Sequence, residues 1–346
     1  MNEIVEQVKE YYGKVLDGTK DLKTKACCCS SAGLPKEVRE ALSLIDDEIV
    51  THYYGCGSPI PPLLDGMTVL DLGCGTGRDV YVASKLVGEK GHVIGVDMTQ
   101  EQLDIALRHE EEQYKRFGYK ASNVTFKKGY IEDLQSLGIA DNSIDVVISN
   151  CVINLSPYKQ NVFNEIWRVL KPGGELYFSD VFTDRRIPDE LYADPVLHGE
   201  CISGAMYFED FRRMLNKAGF MDFVYMSIRN FDLGNEAIEE KVGFAHFSER
   251  TVRVFKLADL EDACEDYGQV AVYRGTVPGH PHAFDFDMNN HFVTGKPMLV
   301  SGNLASMLSE TRYAPAFTVY GDRSVHFGPF GVTPVAEDDG DSGCCC

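Results

Sequence analysis

Short runs rich in valine, isoleucine and leucine alternate with longer segments that carry apolar side chains on one helical face between residues 67 and 257. This alternation constrains the fold most, because a strand, a helix and a further strand in succession pack as a βαβ unit. It predicts an α/β fold in which helices cover both faces of a largely parallel sheet. The predicted strands are residues 69–72, 93–97, 124–126, 144–150, 175–179, 223–228 and 251–257.

The rest of the chain differs in composition from this region. Residues 268–334 are rich in glycine, phenylalanine and tyrosine, which predicts a small β-rich domain. The acidic residues near the end have too few apolar side chains to pack. The predicted regions are an N-terminal helical cap (1–65) that carries Cys27 and Cys56, a core (66–258) with an acceptor-binding insert around 183–206, a small C-terminal domain (268–334) and a disordered, cysteine-terminated tail (335–346).

The charge of the chain limits its partners. Its formal net charge is -20 over 346 residues. Such a surface repels phosphate backbones and anionic lipids, so we expect no nucleic-acid partner and no membrane partner. No signal peptide and no membrane-spanning apolar run is visible, which indicates a cytoplasmic protein. The 11 cysteines include two consecutive triplets, which are poorly placed to cross-link a fold and suggest a chemical role.

A glycine loop follows the first predicted strand, in residues 71–79. Its spacing, Gly73, Gly75 and Gly77, lets the backbone approach a ligand closely in front of a helix N-terminus. Dinucleotide-binding loops have the spacing G-x-G-x-x-G, so the G-x-G-x-G form suits a cofactor without a pyrophosphate. A dinucleotide oxidoreductase, or a doubly wound domain without a cofactor, remains the alternative interpretation.

Two acidic positions strengthen the cofactor interpretation. Asp97 ends the second strand about 20 residues after the loop, where a carboxylate reaches ribose hydroxyls. Glu132, after the third strand, offers a polar edge to an adenine amino group. Both lie where the carboxyl ends of parallel strands meet. The sequence therefore predicts a nucleoside-bearing ligand at this edge of the sheet.

Residues 71–77, 95–98 and 168–176 resemble the successive motifs of class I S-adenosylmethionine methyltransferases, the Lys-Pro-Gly-Gly turn at 171–174 most specifically. The resemblance implies a Rossmann-like, seven-stranded sheet with a reversed last hairpin, and S-adenosylmethionine as the cofactor. The candidate cofactor contacts in or beside these motifs are Asp71, Gly73, Gly75, Gly77, Arg78, Asp97, Met98, Ile131 and Glu132.

Three cysteines fall where an acceptor would lie. Cys151 follows the fourth strand, Cys56 precedes the first strand and Cys201 lies in the insert. A lone cysteine is more often a small buried apolar residue. Three thiolates together form a soft site that suits As(III). The lone pair of bound arsenic can attack a sulfonium methyl group directly, so no general base is needed and catalysis depends on positioning.

Residues 23–27, 53–57, 149–154 and 199–201 resemble the cysteine motifs of arsenite S-adenosylmethionine methyltransferases. The resemblance extends from about Tyr11 to Leu257. It implies that Cys151 and Cys201 bind As(III), and that Cys56 either joins them or pairs with Cys27 in a disulfide. Cys28 or Cys29 could replace Cys27 in that role. The further cofactor contacts that it implies are Tyr54, Gly55, Asn150 and Val152.

The predicted activity is methylation of As(III), with arsenicals as substrates and a thiol reductant of the glutathione or thioredoxin type as partner. Two alternatives are a methyltransferase of a small organic acceptor, such as a quinone or sterol, and a non-catalytic thiol-rich protein that binds metal. Cys74, within the glycine loop, is interpreted as a small packing residue. His198 is interpreted as a surface histidine, although it could lower the pKa of the Cys201 thiol.

Overall fold

The computed structural model describes residues 8–9, 34–53, 55 and 59–331. One mixed sheet dominates the fold. Its strands are β1 (Thr68–Leu72), β2 (His92–Asp97), β3 (Val124–Lys128), β4 (Ile144–Asn150), β5 (Leu170–Thr183), β6 (Met206–Tyr207), β7 (Phe223–Phe231) and β8 (Phe247–Phe255).

The strand order is β3-β2-β1-β4-β5-β8-β7, and the short β6 pairs with the end of β5. Strands β1 to β5 run parallel, β8 runs antiparallel to β5, and β7 runs antiparallel to β8. The α/β fold and the reversed last hairpin are therefore confirmed. The point where β1 lies between β2 and β4 is the topological switch point, where ligands bind in open α/β sheets.

Helices cover both faces of the sheet. Those preceding β3 share one apolar core with the sheet, and the two that flank β5 share the other. In the described part of the chain, no helix is both long and apolar enough to cross a membrane. The helices are α1 (Lys36–Leu42), α2 (Asp47–Thr51), α3 (Arg78–Val87), α4 (Gln100–Arg116), α5 (Lys159–Val169), α6 (Pro195–Gly199), α7 (Phe208–Ala218), α8 (Glu236–Val242) and α9 (Gly302–Ser309).

The last hairpin is longer than its apolar pattern predicts. The sequence indicates strands at 223–228 and 251–257, but β7 continues to Phe231 and β8 begins at Phe247. Apart from Phe231 and Phe247 the added part is polar, which hides it from an apolar pattern. Arg229 pairs there with Glu249 across the two strands, and such cross-strand pairs stabilise an antiparallel ladder.

The C-terminal region is small and β-rich, as the sequence predicts. It contains β9 to β15 in three small sheets together with α9. Its apolar core includes Phe255 and Leu257 from the end of the main sheet. Its strands are β9 (Glu265–Asp266), β10 (Val270–Tyr273), β11 (Ala283–Asp285), β12 (His291–Val293), β13 (Pro297–Leu299), β14 (Phe317–Tyr320) and β15 (Gly328–Pro329).

Candidate active site

A cavity opens at the carboxyl ends of β1, β2 and β4. Eleven of the described residues that the sequence analysis selects as cofactor contacts line it, namely Gly55, Asp71, Gly73, Gly75, Arg78, Asp97, Met98, Ile131, Glu132, Asn150 and Val152. Asp79, at the end of the predicted cofactor segment 71–79, also lines the cavity. Further lining residues lie outside the motifs that mark the site in sequence, among them Thr99, Gln102, Tyr130 and Ser156.

The glycine loop has the backbone conformation that its spacing predicts. Gly73, Gly75 and Gly77 have φ angles of 71°, 52° and 85°, in the left-handed region that glycine adopts without strain. A Cβ at Gly73 would also collide with the side chain of Val152. Gly77 does not line the cavity, because it caps the N-terminus of α3. Its contribution is to start α3, whose first residue, Arg78, lines the cavity.

Three acidic side chains, those of Asp71, Asp79 and Asp97, line the cavity. Asp97 accepts hydrogen bonds from the backbone N–H groups of Gly75 and Thr99, each over 2.8 Å, and so fastens the glycine loop to the end of β2. Burial raises the pKa of Asp71, and the nearby charges of Asp79 and Asp97 raise it further. A cation in the cavity would relieve this repulsion. The site therefore suits a positively charged ligand.

Two cysteines from distant parts of the sequence meet beside this cavity. Cys151 lines it, and the Sγ of Cys201 donates a hydrogen bond to the backbone carbonyl of Cys151 over 3.2 Å. Both residues are buried. Cys151 is disulfide-bonded, whereas Cys201 is in the reduced thiol form. The other selected positions Cys27, Cys28, Cys29, Tyr54 and Cys56, and the tail 335–346, lie outside the described residues.

The backbone at both cysteines is strained. Among the residues that the structure describes, four that are not glycine have a positive φ, and Cys151 (54°) and Cys201 (61°) are two of them. An L-residue in this conformation costs about 1–2 kcal/mol. Such strain persists only where the surroundings impose it, and it concentrates at functional sites. Leu63 and Asn142 share this conformation, so the strain shows that the surroundings hold both cysteines in place and does not by itself assign them a role.

The sequence-based interpretations of Cys74 and His198 fare differently against the structure. Cys74 is buried, packs beside Gly95 in the apolar core and also borders the cavity. Its interpretation as a small packing residue stays a prediction. The interpretation of His198 as a surface histidine is wrong, because its side chain is buried and its Nε2 lies 3.0 Å from the carbonyl oxygen of Leu155. Burial lowers the pKa of His198 to about 4, so at neutral pH it supplies no charge to a neighbouring thiol.

Known proteins resemble the chain over almost its whole length. Residues 63–219 match the family model described as a methyltransferase domain, and residues 266–345 match the arsenite methyltransferase C-terminal domain. An arsenite methyltransferase of Aquipseudomonas alcaligenes is 52% identical over 325 residues, which are 94% of this chain and 93% of that protein. The chain belongs to the arsenite methyltransferase family.

Further relatives in this family agree. The Homo sapiens arsenite methyltransferase is 41% identical over 92% of this chain and 84% of its own length. The crystal structure of an arsenic(III) S-adenosylmethionine methyltransferase from Chlamydomonas reinhardtii superposes with a TM-score of 0.83 at 51% identity, and the match covers 86% of this chain and all of that one. The motifs in the sequence indicate this resemblance only as far as about Leu257. The match to the C-terminal domain shows that it continues beyond that residue.

The arsenite methyltransferase family uses S-adenosylmethionine as its methyl donor, and the cavity suits this cofactor. The sulfonium group of the cofactor is a cation. Asp71, Asp79 and Asp97, whose carboxyl groups would attract a cation, line the cavity. The enzyme is thus a methyltransferase, which argues against the non-catalytic metal-binding alternative.

Replacing Gly73 with alanine is expected to weaken S-adenosylmethionine binding about tenfold or more, because the new Cβ combines a left-handed φ with a collision at Val152. Isothermal titration calorimetry measures the affinity. Gly118→Ala is the matched control, since Gly118 also has a positive φ (80°) but nothing within 4 Å of the added Cβ. Equal cofactor affinity in the two variants would contradict the assignment of Gly73 to the cofactor cavity.

His198 predicts a loss of stability in mild acid. Above pH 6.5 the imidazole is neutral in both the folded and the unfolded chain. As the pH falls from 6.5 to about 4, the unfolded chain takes up a proton that the folded chain does not, so the free energy of unfolding falls by up to about 3 kcal/mol. Urea denaturation of the wild type and His198→Gln between pH 7.5 and 4.5 measures this, with the exposed His246→Gln as control. If His198→Gln leaves the pH dependence unchanged, the expectation is wrong.

Proposed function

We propose that the enzyme transfers methyl groups from S-adenosylmethionine to As(III) held by the thiolates of Cys56, Cys151 and Cys201. The products are methylated arsenicals and S-adenosylhomocysteine, and the role is arsenic detoxification. In this proposal the cofactor contacts are the residues that the sequence analysis selects, Tyr54 included. The insert around 183–206 contributes Cys201 to the acceptor site.

The observation that carries the proposal is the contact between two strained cysteines at the cofactor cavity. Cys151 lines the cavity, and the thiol of Cys201 reaches its backbone carbonyl. As(III) bound between these sulfurs would lie next to the cofactor. Trivalent arsenic prefers soft sulfur ligands and keeps a lone pair when it has three of them.

The mechanism follows from this placement. Bound S-adenosylmethionine supplies a methyl group on a positively charged sulfur. The thiolates of Cys151 and Cys201 hold arsenic so that its lone pair points at that carbon. Transfer would form an As–C bond from this lone pair and break the S–C bond of the donor, whose electrons would stay with the departing S-adenosylhomocysteine. No proton moves, so no general base is required, and the protein contributes position and orientation.

Electron balance requires a reductant. Arsenic passes from the trivalent to the pentavalent state when its lone pair forms the new bond, and two electrons from a thiol pair return it to As(III). Cys151 must also be a thiolate before it can bind arsenic, and it is disulfide-bonded in the structure. We therefore propose that a thiol of the glutathione or thioredoxin type reduces the oxidised cysteines, Cys27 and Cys56 among them, in a reducing compartment such as the cytoplasm.

The test uses the full chain, reduced with a phosphine, together with arsenite and S-adenosylmethionine. Chromatography coupled to elemental mass spectrometry measures methylated arsenic, and S-adenosylhomocysteine is measured in parallel. We expect both products together, and neither without arsenite. Arsenite binding without S-adenosylhomocysteine would instead indicate sequestration. Failure to methylate arsenite would leave a small organic acceptor as the better interpretation.

A further inference from the structure

Two short turns carry the two described cysteines of the site. The Cys151 turn comprises residues 150–155 after β4, and the Cys201 turn comprises residues 197–204 in the insert. Both cysteines have a left-handed backbone conformation. Because this conformation is unfavourable for cysteine, neighbouring groups must hold both turns in place.

Asn154 fastens the Cys151 turn to β5. Its backbone N–H donates to Asp180 Oδ2 over 3.1 Å, and its Nδ2 donates to Asp180 Oδ1 over 2.7 Å. The same Nδ2 donates to the carbonyl of Val181 over 2.6 Å, and the N–H of Val181 donates to Asp180 over 2.9 Å. Asn154 and Asp180 are both completely buried. The first three of these hydrogen bonds fix the end of the Cys151 turn to β5, and the fourth, within β5, orients the Asp180 carboxylate.

Asn154 also meets the Cys201 turn. Its carbonyl oxygen approaches Gly204 so closely that a Cβ on Gly204 would collide with it. Beside this contact, Nε2 of His198 reaches the carbonyl oxygen of Leu155 over 3.0 Å. The Cys201 turn therefore rests directly on the backbone that Asp180 and Asn154 hold. The position of one cysteine depends on the position of the other.

The polar groups buried between the two turns lower the stability of the fold. Asn154 Oδ1, His198 Nδ1 and Ser203 Oγ are buried and have no hydrogen-bond partner among the described residues. Burying unpaired polar atoms and a carboxylate costs free energy that apolar residues would not. Proteins depart from the most stable choice chiefly at functional sites. A buried polar pair between two strained cysteine turns is such a departure.

We propose that Asn154 and Asp180 are positioning residues that set the separation of the Cys151 and Cys201 sulfur atoms for As(III). The inference rests on the proposed function, since it assumes that these sulfurs bind arsenic. Small displacements of ligand atoms weaken binding steeply, because the site must hold its ligands in the productive geometry in advance. Gly204 serves the same end, because its missing side chain lets the two turns touch.

The test compares Asp180→Asn and Gly204→Ala with matched controls. Asp222→Asn is the control for the first, since Asp222 also accepts from an asparagine Nδ2 and from the next backbone N–H. Gly302→Ala is the control for the second, since a Cβ at Gly302 crowds only Tyr267 and Arg323 side chains in the C-terminal region. Equilibrium dialysis of the phosphine-reduced full chain measures As(III) affinity, and calorimetry measures S-adenosylmethionine affinity.

We expect As(III) affinity to fall about tenfold or more in Asp180→Asn and in Gly204→Ala. The KM for arsenite should rise with it, while the KM for S-adenosylmethionine stays within about twofold of wild type and both controls behave as wild type. Wild-type arsenite affinity in both test variants would overturn the proposal, and so would an equal loss of affinity for both substrates. If Asp180→Asn does not fold, Gly204→Ala decides alone. A Cys201→Ser variant that binds As(III) as tightly as wild type would refute the thiol site itself rather than its positioning.

Discussion

Replacing Cys201 with serine is expected to lower arsenite methylation by roughly 10²–10⁴-fold. The proposed site binds As(III) through several thiolates at once, and removing one ligand removes the gain that comes from their enforced proximity. A serine oxygen is a hard ligand and does not replace soft sulfur at arsenic. Serine can still donate to the carbonyl of Cys151, as the thiol does, so the variant is expected to keep the native fold.

Affinity for S-adenosylmethionine separates this effect from unfolding. Cys201 does not line the cofactor cavity, so calorimetry should give wild-type affinity for the variant. Cys264→Ser is the control, because Cys264 is an exposed free thiol in the C-terminal region. It should retain wild-type methylation. Full activity of Cys201→Ser would rule out a role for this thiol in arsenic binding.

Replacing Glu175 with glutamine is expected to lower the free energy of unfolding by about 3–5 kcal/mol. Glu175 is completely buried and pairs with two arginines, Arg253 over 2.7 Å and Arg312. Arg253 also donates to the carbonyl of Phe286 and to the hydroxyl of Tyr313. The cluster joins the main sheet to the C-terminal region. Loss of the single carboxylate would leave two guanidinium groups buried without their counter-charge.

Asp210→Asn is the matched control for this prediction. Asp210 also pairs with two arginines, Arg186 and Arg213, but on the surface. Exposed pairs contribute little, so a loss of no more than about 1 kcal/mol is expected. Urea denaturation followed by circular dichroism measures both variants. The buried cluster would not be the main link between sheet and C-terminal region if Glu175→Gln were as stable as Asp210→Asn.

Local sequence patterns were sufficient for much of the fold and of the cofactor cavity. Each parallel strand contains a short apolar run that is visible in sequence. The run does not give the length of every strand, because β5 spans Leu170–Thr183 where the sequence predicts 175–179. The glycine loop directly follows β1, and Asp97 is the last residue of β2. Because the carboxyl ends of parallel strands lie at the same edge of the sheet, the sequence predicts that the two are close together, as the cavity lining shows. The added part of the last hairpin was missed because, apart from Phe231 and Phe247, its residues are polar. It is extended by backbone pairing of β8 with both β7 and β5.

The sequence by itself determined that Cys151 lies at the edge of the sheet where ligands bind, because Cys151 directly follows the carboxyl end of β4. It also indicated Cys201 as a candidate through its neighbouring residues. Only the tertiary structure decided that the two cysteines touch, that both are strained, and that Asn154 and Asp180 lie beneath them. It also reversed the interpretation of His198 from exposed to buried. These properties arise from contacts between the end of β4, β5 and the irregular insert, and an insert without periodicity carries no local signal of where it packs.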